Sequence, residues 1–441
     1  MDLLVKLYKN FPKELLLKSG VFFITRILGG ILAFIFAWWV SQIGGAELWG
    51  KFSLYFTLLN IFLIICILGL DTIIVKYIAE YNNNGKSSID QSNYYWTSFL
   101  LAMTTSLSVC ALLYLAKESG ILPLKSFGLD EAYFELSVWT IPGIVLLGLN
   151  RSVYRGLKNM AIFGVLKNLI IFGGLFVVSI LASNYFNTDI NIRFLLIINL
   201  IITYTFAIIT SIELLISKKI LIESIVLVDI KSLLKESLPL FLFASMTLVV
   251  NYVDLFMISY FKTPDEVGIY DIAIKFSSNM SIFLLAIHAY IMPRFAEVYG
   301  TNNNELLQVT LLQSSKLIFW TSLPIFIFGL FFSYSLMSIY GDEFTKGTFT
   351  LQLLIIGQII GAMCGAVAVF LQMTNNQKIF RNIFLTATII NLVLNYILIP
   401  IYGIEGAAIA SLACTAFWNL SSVYFIKKKF DMSSVYLPFY S

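Results

Sequence analysis

Asp271, Lys275, Ser278 and Asn279 recur at i, i+4, i+7 and i+8 inside an otherwise apolar stretch. That spacing places all four on one face of a helix, and the acid-before-base order of Asp271 and Lys275 favours a pair. Thr247, Asn251 and Asp254 make a second one-faced stripe at i, i+4 and i+7. Arg26, between Thr25 and Ile27, is a further charge in apolar surroundings. Such residues can bind and compensate charge. Arg26 and Lys275 can meet an anionic group, and Asp254 can take Na⁺ or a proton. Asp271, Asn251, Ser278, Asn279 and Asn60 can supply the polar lining of a cavity. Inside a bilayer each charge costs about 2.5 to 3.5 kcal/mol on insertion scales, so something must offset it. For Arg26 the alternative to a water-filled cavity is snorkelling towards the interface near Lys18.

Covalent chemistry has no comparable set of residues. The sequence has no GxxxxGK[ST] loop, no HExxH and a single histidine, His288. Cys66, Cys110, Cys364 and Cys414 lie in apolar runs without CxxC spacing, which suggests neither a metal site nor disulfides. The expectation is a non-enzyme without catalytic residues, resident cofactor or metal centre, with coupling to Na⁺ or H⁺ left open.

The elements that must carry these residues follow from composition. Of 441 residues 59% are hydrophobic and 12% charged, against roughly 25% charge in soluble domains. Mean hydropathy is +0.86. A spanning helix needs about 20 apolar residues. Apolar runs bounded by polar turns predict helices near 19–43, 49–78, 95–116, 132–154, 161–183, 193–216, 237–260, 266–292, 308–333, 348–373, 379–400 and 405–426. The fold class is therefore an all-α integral membrane protein of about twelve transmembrane helices. The basic stretch Met1 to Lys18 precedes a long apolar run and reads as the flank of a retained first helix.

Lys and Arg set the orientation. Most of the 29, among them Lys6, Lys9, Lys86, Arg151, Arg155, Lys158, Lys167, Lys218, Lys219, Lys427, Lys428 and Lys429, fall on the side of the N-terminus. Few fall opposite, for example Lys117, Lys125 and Arg193. Both termini are thus expected in the cytoplasm. Charges spread over short loops also argue against nucleic acid as a partner. Asp71, close to Lys76, reads as an interface ion pair.

Gly50-Lys51-Phe52 resembles Gly268-Ile269-Tyr270 at an offset of 218, near half the chain. A constant offset suggests two parallel six-helix bundles, residues 1–217 and 218–441, with a substrate site between them.

Several stretches resemble the polysaccharide-flippase branch of the MOP superfamily, which also holds the MATE exporters and the lipid II flippases. They are Gly69-Leu70-Asp71, Arg155-Gly156-Leu157, Asn251-Tyr252-Val253-Asp254, Glu266-Val267-Gly268-Ile269-Tyr270, Pro293-Arg294-Phe295-Ala296-Glu297, and Asn391-Leu392-Val393-Leu394-Asn395 through Pro400 to Ala408. Twelve spans, rather than the fourteen of lipid II flippases, point to a Wzx-type O-antigen or capsule flippase. The resemblance implies a MATE-like V-shaped transporter with a cationic cavity. It would carry undecaprenyl-pyrophosphate-linked oligosaccharide from the cytoplasmic to the outer leaflet of a bacterial inner membrane by alternating access. Its partners would be the lipid-linked oligosaccharide, membrane lipids and polysaccharide polymerase machinery. The competing reading is a MATE-like cation-coupled multidrug exporter, in which acidic cavity groups would dominate.

Overall fold

The computed structural model describes residues 13–84, 88–120, 130–186, 189–222, 226–301 and 303–436. Lys6, Lys9, Lys86 and Lys125, used above for orientation, lie outside them. Among the described residues every regular element is helical. In chain order these are α1 (Lys13–Ile67), α2 (Leu70–Asn84), α3 (Ser88–Glu118), α4 (Glu131–Gly156), α5 (Met160–Gly164), a π turn (Val165–Leu169), α6 (Ile170–Phe186), α7 (Ile192–Ile216) and α8 (Ile230–Phe261). There follow α9 (Pro264–Met280), α10 (Ile282–Gly300), α11 (Asn304–Phe331), α12 (Ser333–Ser338), a 3₁₀ turn (Asp342–Gly347), α13 (Thr348–Cys364), α14 (Val367–Met373) and α15 (Gln377–Phe430).

Among the described residues nine helices are long and apolar enough to cross a membrane. Three of them start on side-chain caps. Asp130, Asn191 and Asn303 accept the backbone N–H of Tyr133 (2.7 Å), Phe194 (3.0 Å) and Leu306 (2.9 Å), satisfying donors that a helix leaves open. Two helices, α1 with 55 residues and α15 with 54, each far exceed one span and each contain a non-helical glycine, Gly45 (φ 65°) and Gly403 (φ 58°).

Three stretches expected as continuous spans are broken. The 49–78 stretch breaks at Leu68 and Gly69, both at positive φ; 266–292 breaks at Ser281; 348–373 breaks at Gly365 (φ 76°). Backbone groups freed by a break inside a membrane need protein partners. At the last break the returning C-terminal tail supplies one, because the Tyr436 N–H donates to the Met363 carbonyl at 3.3 Å.

The chain divides into two compact units. Unit 1 comprises Met1–Gly44 and Tyr55–Leu248, and unit 2 comprises Gly45–Leu54 and Val249–Ser441. In unit 1, α4 packs against α2, α3 and α7. Fully buried Asn150 ties three of these helices together. It accepts from the Tyr95 hydroxyl (2.6 Å) and donates to Thr210 (2.9 Å), Ser211 (2.9 Å) and the Ala207 carbonyl (3.1 Å). Interhelical hydrogen bonds of this kind supply cohesion where lipid removes the hydrophobic drive between helices. In unit 2, α13 packs against α11 and α15.

Candidate functional site

Two departures from regular helix meet at one cleft in unit 1. The first is the break at Leu68 (φ 54°) and Gly69 (φ 77°), after which α2 begins with Asp71 in its first turn. A side chain at Gly69 would lie 2.7 Å from the Ser237 carbonyl of α8, so only glycine fits. The second is the π turn Val165–Leu169, whose extra residue re-aims Lys167. The cleft is lined by Asp71, Arg151, Ser152, Arg155, Phe163 and Lys167, with apolar walls from Leu63, Ile64 and Ile67.

Arg151 and Arg155, at i and i+4, project from the last turns of α4 on one face. The Arg155 guanidinium lies 5.8 Å, and the Lys167 ammonium 5.6 Å, from the ring centroid of buried Phe163, so one aromatic ring holds two cations. Among the described residues none of Arg151, Arg155 or Lys167 has a carboxylate within the 4.0 Å of an ion pair. Lys167 feels Arg151, Arg155 and Arg26 as like charges and Asp71 as the opposite one. Arg26 itself is exposed, on the part of α1 that touches the π turn. There a methyl group added at Gly29 would lie 2.5 Å from the Asn168 carbonyl oxygen, and one at Gly164 2.2 Å from the Thr25 hydroxyl. Converging cations that outnumber the one carboxylate seen in their cleft among the described residues suit a phosphate, which two guanidinium forks and an ammonium can satisfy together.

Unit 2 holds the other sequence candidates in two separate clusters. Asp254, 2% exposed, accepts from the Tyr270 hydroxyl (2.7 Å), from the Asn395 amide (2.6 Å) and from the Ser411 hydroxyl. Asn395 also donates to Asn391 at 3.2 Å, while its own carbonyl oxygen is buried without a partner among the described residues. In the second cluster buried Asp271 accepts from both Lys275 and the Trp49 indole N–H (2.9 Å), and the Lys275 ammonium lies 5.0 Å from the Trp49 ring centroid. Lys275 is therefore a compensated cation. Ser278 and Asn279 turn back onto the Lys275 carbonyl at 3.3 and 2.8 Å. In unit 1, Asn60 donates likewise to the Phe56 carbonyl at 2.7 Å. Asn251 is exposed one turn before Asp254.

The Asp71–Lys76 pair expected from the sequence does not form. Lys76 pairs with Glu236 at 3.0 Å, and Asp71 turns to the cleft. Sequence reading also missed Arg151, Arg155 and Lys167 as site residues, counting them among the loop charges. The i, i+4 spacing of Arg151 and Arg155 was the available signal; the π turn that brings in Lys167 left none.

Comparison with known proteins agrees with this architecture. The family profile described as "Polysaccharide biosynthesis protein" matches residues 15–299, and the MatE profile matches residues 239–397. Over 162 residues, 36% of this chain, the sequence is 27% identical to the "Probable low-salt glycan biosynthesis flippase Agl15" of Haloferax volcanii. The chain spans about a third (34%) of the length of that relative. Among solved structures, a multidrug resistance MATE family transporter of the MOP superfamily in its inward-facing conformation superposes with a TM-score of 0.73 at 14% identity, covering 92% of this chain and 98% of the other. Lipid II flippase MurJ, inward closed, gives 0.68 at 17% identity, covering 93% and 87%. At these identities the likeness is one of fold. The chain is a multi-pass helical membrane protein with the MOP-superfamily fold, and it belongs to the polysaccharide biosynthesis protein family.

Proposed function

We propose that this protein is a flippase that carries an undecaprenyl-pyrophosphate-linked oligosaccharide across a bacterial inner membrane, from the cytoplasmic to the outer leaflet, by alternating access. The observation that carries the reading is the cleft of Arg151, Arg155 and Lys167, three cations without a carboxylate in ion-pair range among the described residues. A pyrophosphate leaving water needs several compensating charges and donors, and this cleft offers them beside the apolar wall of Leu63, Ile64 and Ile67. Family membership and the glycan-flippase relative support the same substrate class. Arg26 adds positive potential from α1. The two units would correspond to the two bundles read from the internal repeat, with both termini cytoplasmic and polysaccharide polymerase machinery acting downstream.

Ion coupling is assigned to Asp254. Na⁺ or a proton would be held by Asp254 with Asn391 and Asn395. The fit rests on the Asn395 carbonyl oxygen, a buried acceptor that lacks a donor beside a buried carboxylate. A bound cation would supply the positive charge that such a pair of oxygens calls for. Tyr270 and Ser411 orient the carboxylate from α9 and from the second half of α15.

A second reading, a MATE-like cation-coupled multidrug exporter, draws on the MatE match over residues 239–397 and on Asp254. The excess of cations over carboxylates in the unit 1 cleft favours an anionic substrate instead. A strain lacking the protein separates the two. The flippase reading expects lipid-linked oligosaccharide to accumulate on the cytoplasmic leaflet, with loss of surface polysaccharide and unchanged drug accumulation. Unchanged surface polysaccharide with raised drug accumulation would reverse the choice.

A further inference from the structure

Resting on the anion-site reading above, we propose that Asp71 competes with the bound phosphate for Arg151 and so sets how readily the cleft releases its ligand. Among the described residues Asp71 is the one carboxylate lining a cleft whose other charged lining residues are Arg151, Arg155 and Lys167. From a neighbouring element, Arg26 on α1 also acts on Lys167 as a like charge. From α8 the lining residue is the uncharged Ala244.

Asp71 is placed there by design of the backbone. The chain leaves helix at Leu68, a leucine at φ 54°, and re-enters it after Gly69, with the Thr72 N–H bonded to the Gly69 carbonyl at 3.2 Å. A non-glycine residue at positive φ costs of order 1–3 kcal/mol and persists where surrounding structure enforces it, most often at working sites. The result is a carboxylate in the first turn of α2, at the positive end of the helix dipole. Among the described residues it is not spent on an ion pair: Lys76, the basic residue nearest in sequence, is taken by Glu236. Arg151 and Lys167 both sense the Asp71 charge without closing to within 4.0 Å of it, and all three line the same cleft.

A transporter must bind firmly enough to load and weakly enough to unload. Three cations alone would make the cleft a trap for a polyanion. A fixed carboxylate sharing one of them lowers affinity without removing a donor. Asp71 is then a positioning and release residue, acting on the ligand through Arg151.

The test uses purified full-length protein and inorganic pyrophosphate in magnesium-free buffer, with Kd measured by calorimetry and release by stopped flow. Asp71→Asn is expected to tighten binding about fivefold to tenfold and to slow release by a similar factor. Asp71→Glu should keep values near wild type. In an Arg151→Gln background the effect of Asp71→Asn should shrink to under about twofold, as expected for two residues that share one interaction. Unchanged or weaker binding in Asp71→Asn would overturn the proposal, as would tightening of equal size with and without Arg151. If pyrophosphate binds equally to wild type and to Arg151→Gln/Arg155→Gln/Lys167→Gln, the anion site itself fails, and the role of Asp71 falls with it.

Discussion

Gly50 and Gly268, separated by 218 residues in sequence, lie backbone to backbone. A methyl group at Gly50 would sit 2.8 Å from the Gly268 nitrogen and 1.7 Å from the Pro264 carbonyl oxygen, and one at Gly268 would sit 3.0 Å from the Gly50 nitrogen and 2.2 Å from the Ala46 carbonyl oxygen. The contact is reciprocal, each glycine facing the other's backbone. Trp49 and Asp271, each next to this crossing in sequence or one turn away, lock it with their 2.9 Å hydrogen bond.

Either glycine is therefore intolerant of a side chain. Gly50→Ala and Gly268→Ala force backbone apart from backbone, and overpacking of this kind costs about 1–3 kcal/mol or more. Thermal melting in detergent should be lowered for both, with Gly50→Ala the worse because its clash is the closer. Wild-type melting in either variant would contradict the contact.

Asp271→Asn should destabilise the protein by up to roughly 3 kcal/mol, because the half-buried Lys275 ammonium loses its counter-charge while the amide oxygen can keep only the neutral part of the contact. Adding Lys275→Met should recover part of that loss, since the stranded charge goes with it. Such recovery, read from melting temperatures, would mark Lys275 as half of a structural pair. Transport lost on Lys275→Met alone, with stability intact, would return it to the role of a cavity cation.

How much was legible in the sequence depends on whether local pattern or backbone irregularity carries the information. The helical face of Asp271 with Lys275 was readable, because a 3.6-residue period fixes which side chains share a face, whereas the stripe of Asn251 with Asp254 divides, Asn251 being exposed and Asp254 buried. Asn391 and Asn395 stood in the motif that carried the resemblance, yet their meeting with Asp254 joins α15 to α8 and no spacing announces it. The breaks at Leu68 and Ser281 were hidden for the opposite reason: leucine and serine read as ordinary span residues, and only packing enforces their conformations. Lys167 was hidden twice, as one more basic residue at an interface and as a member of a π turn that sequence periodicity smooths over.

That π turn makes its own prediction. Deleting Val165, which is exposed, would restore α-helical register and swing Lys167 by about 100° away from the cleft. Pyrophosphate affinity should fall as far as in Lys167→Gln, about tenfold, while circular dichroism keeps its helical content. A deletion that binds as well as wild type would remove the π turn from the account.

Asp254→Asn replaces a buried carboxylate with a near-isostere that can neither bind Na⁺ strongly nor take a proton. The folded protein should persist, because Tyr270 and Ser411 can still donate to the amide oxygen. In proteoliposomes the variant should transport at a rate that no longer responds to an imposed Na⁺ or proton gradient, whereas wild type should respond to one of them by about tenfold. A gradient response equal to that of wild type would take coupling away from Asp254.

The central claim is that Arg151, Arg155 and Lys167 together hold the phosphate headgroup of a lipid-linked sugar. Binding of a polyprenyl-diphosphate-linked oligosaccharide to the purified protein, measured by native mass spectrometry, tests it most directly. Each charge-assisted contact is worth about 1.5–3 kcal/mol, so Arg151→Gln/Arg155→Gln/Lys167→Gln should lose at least about a hundredfold in affinity with little change in melting temperature. A triple variant that binds the lipid-linked sugar as tightly as wild type would contradict the account.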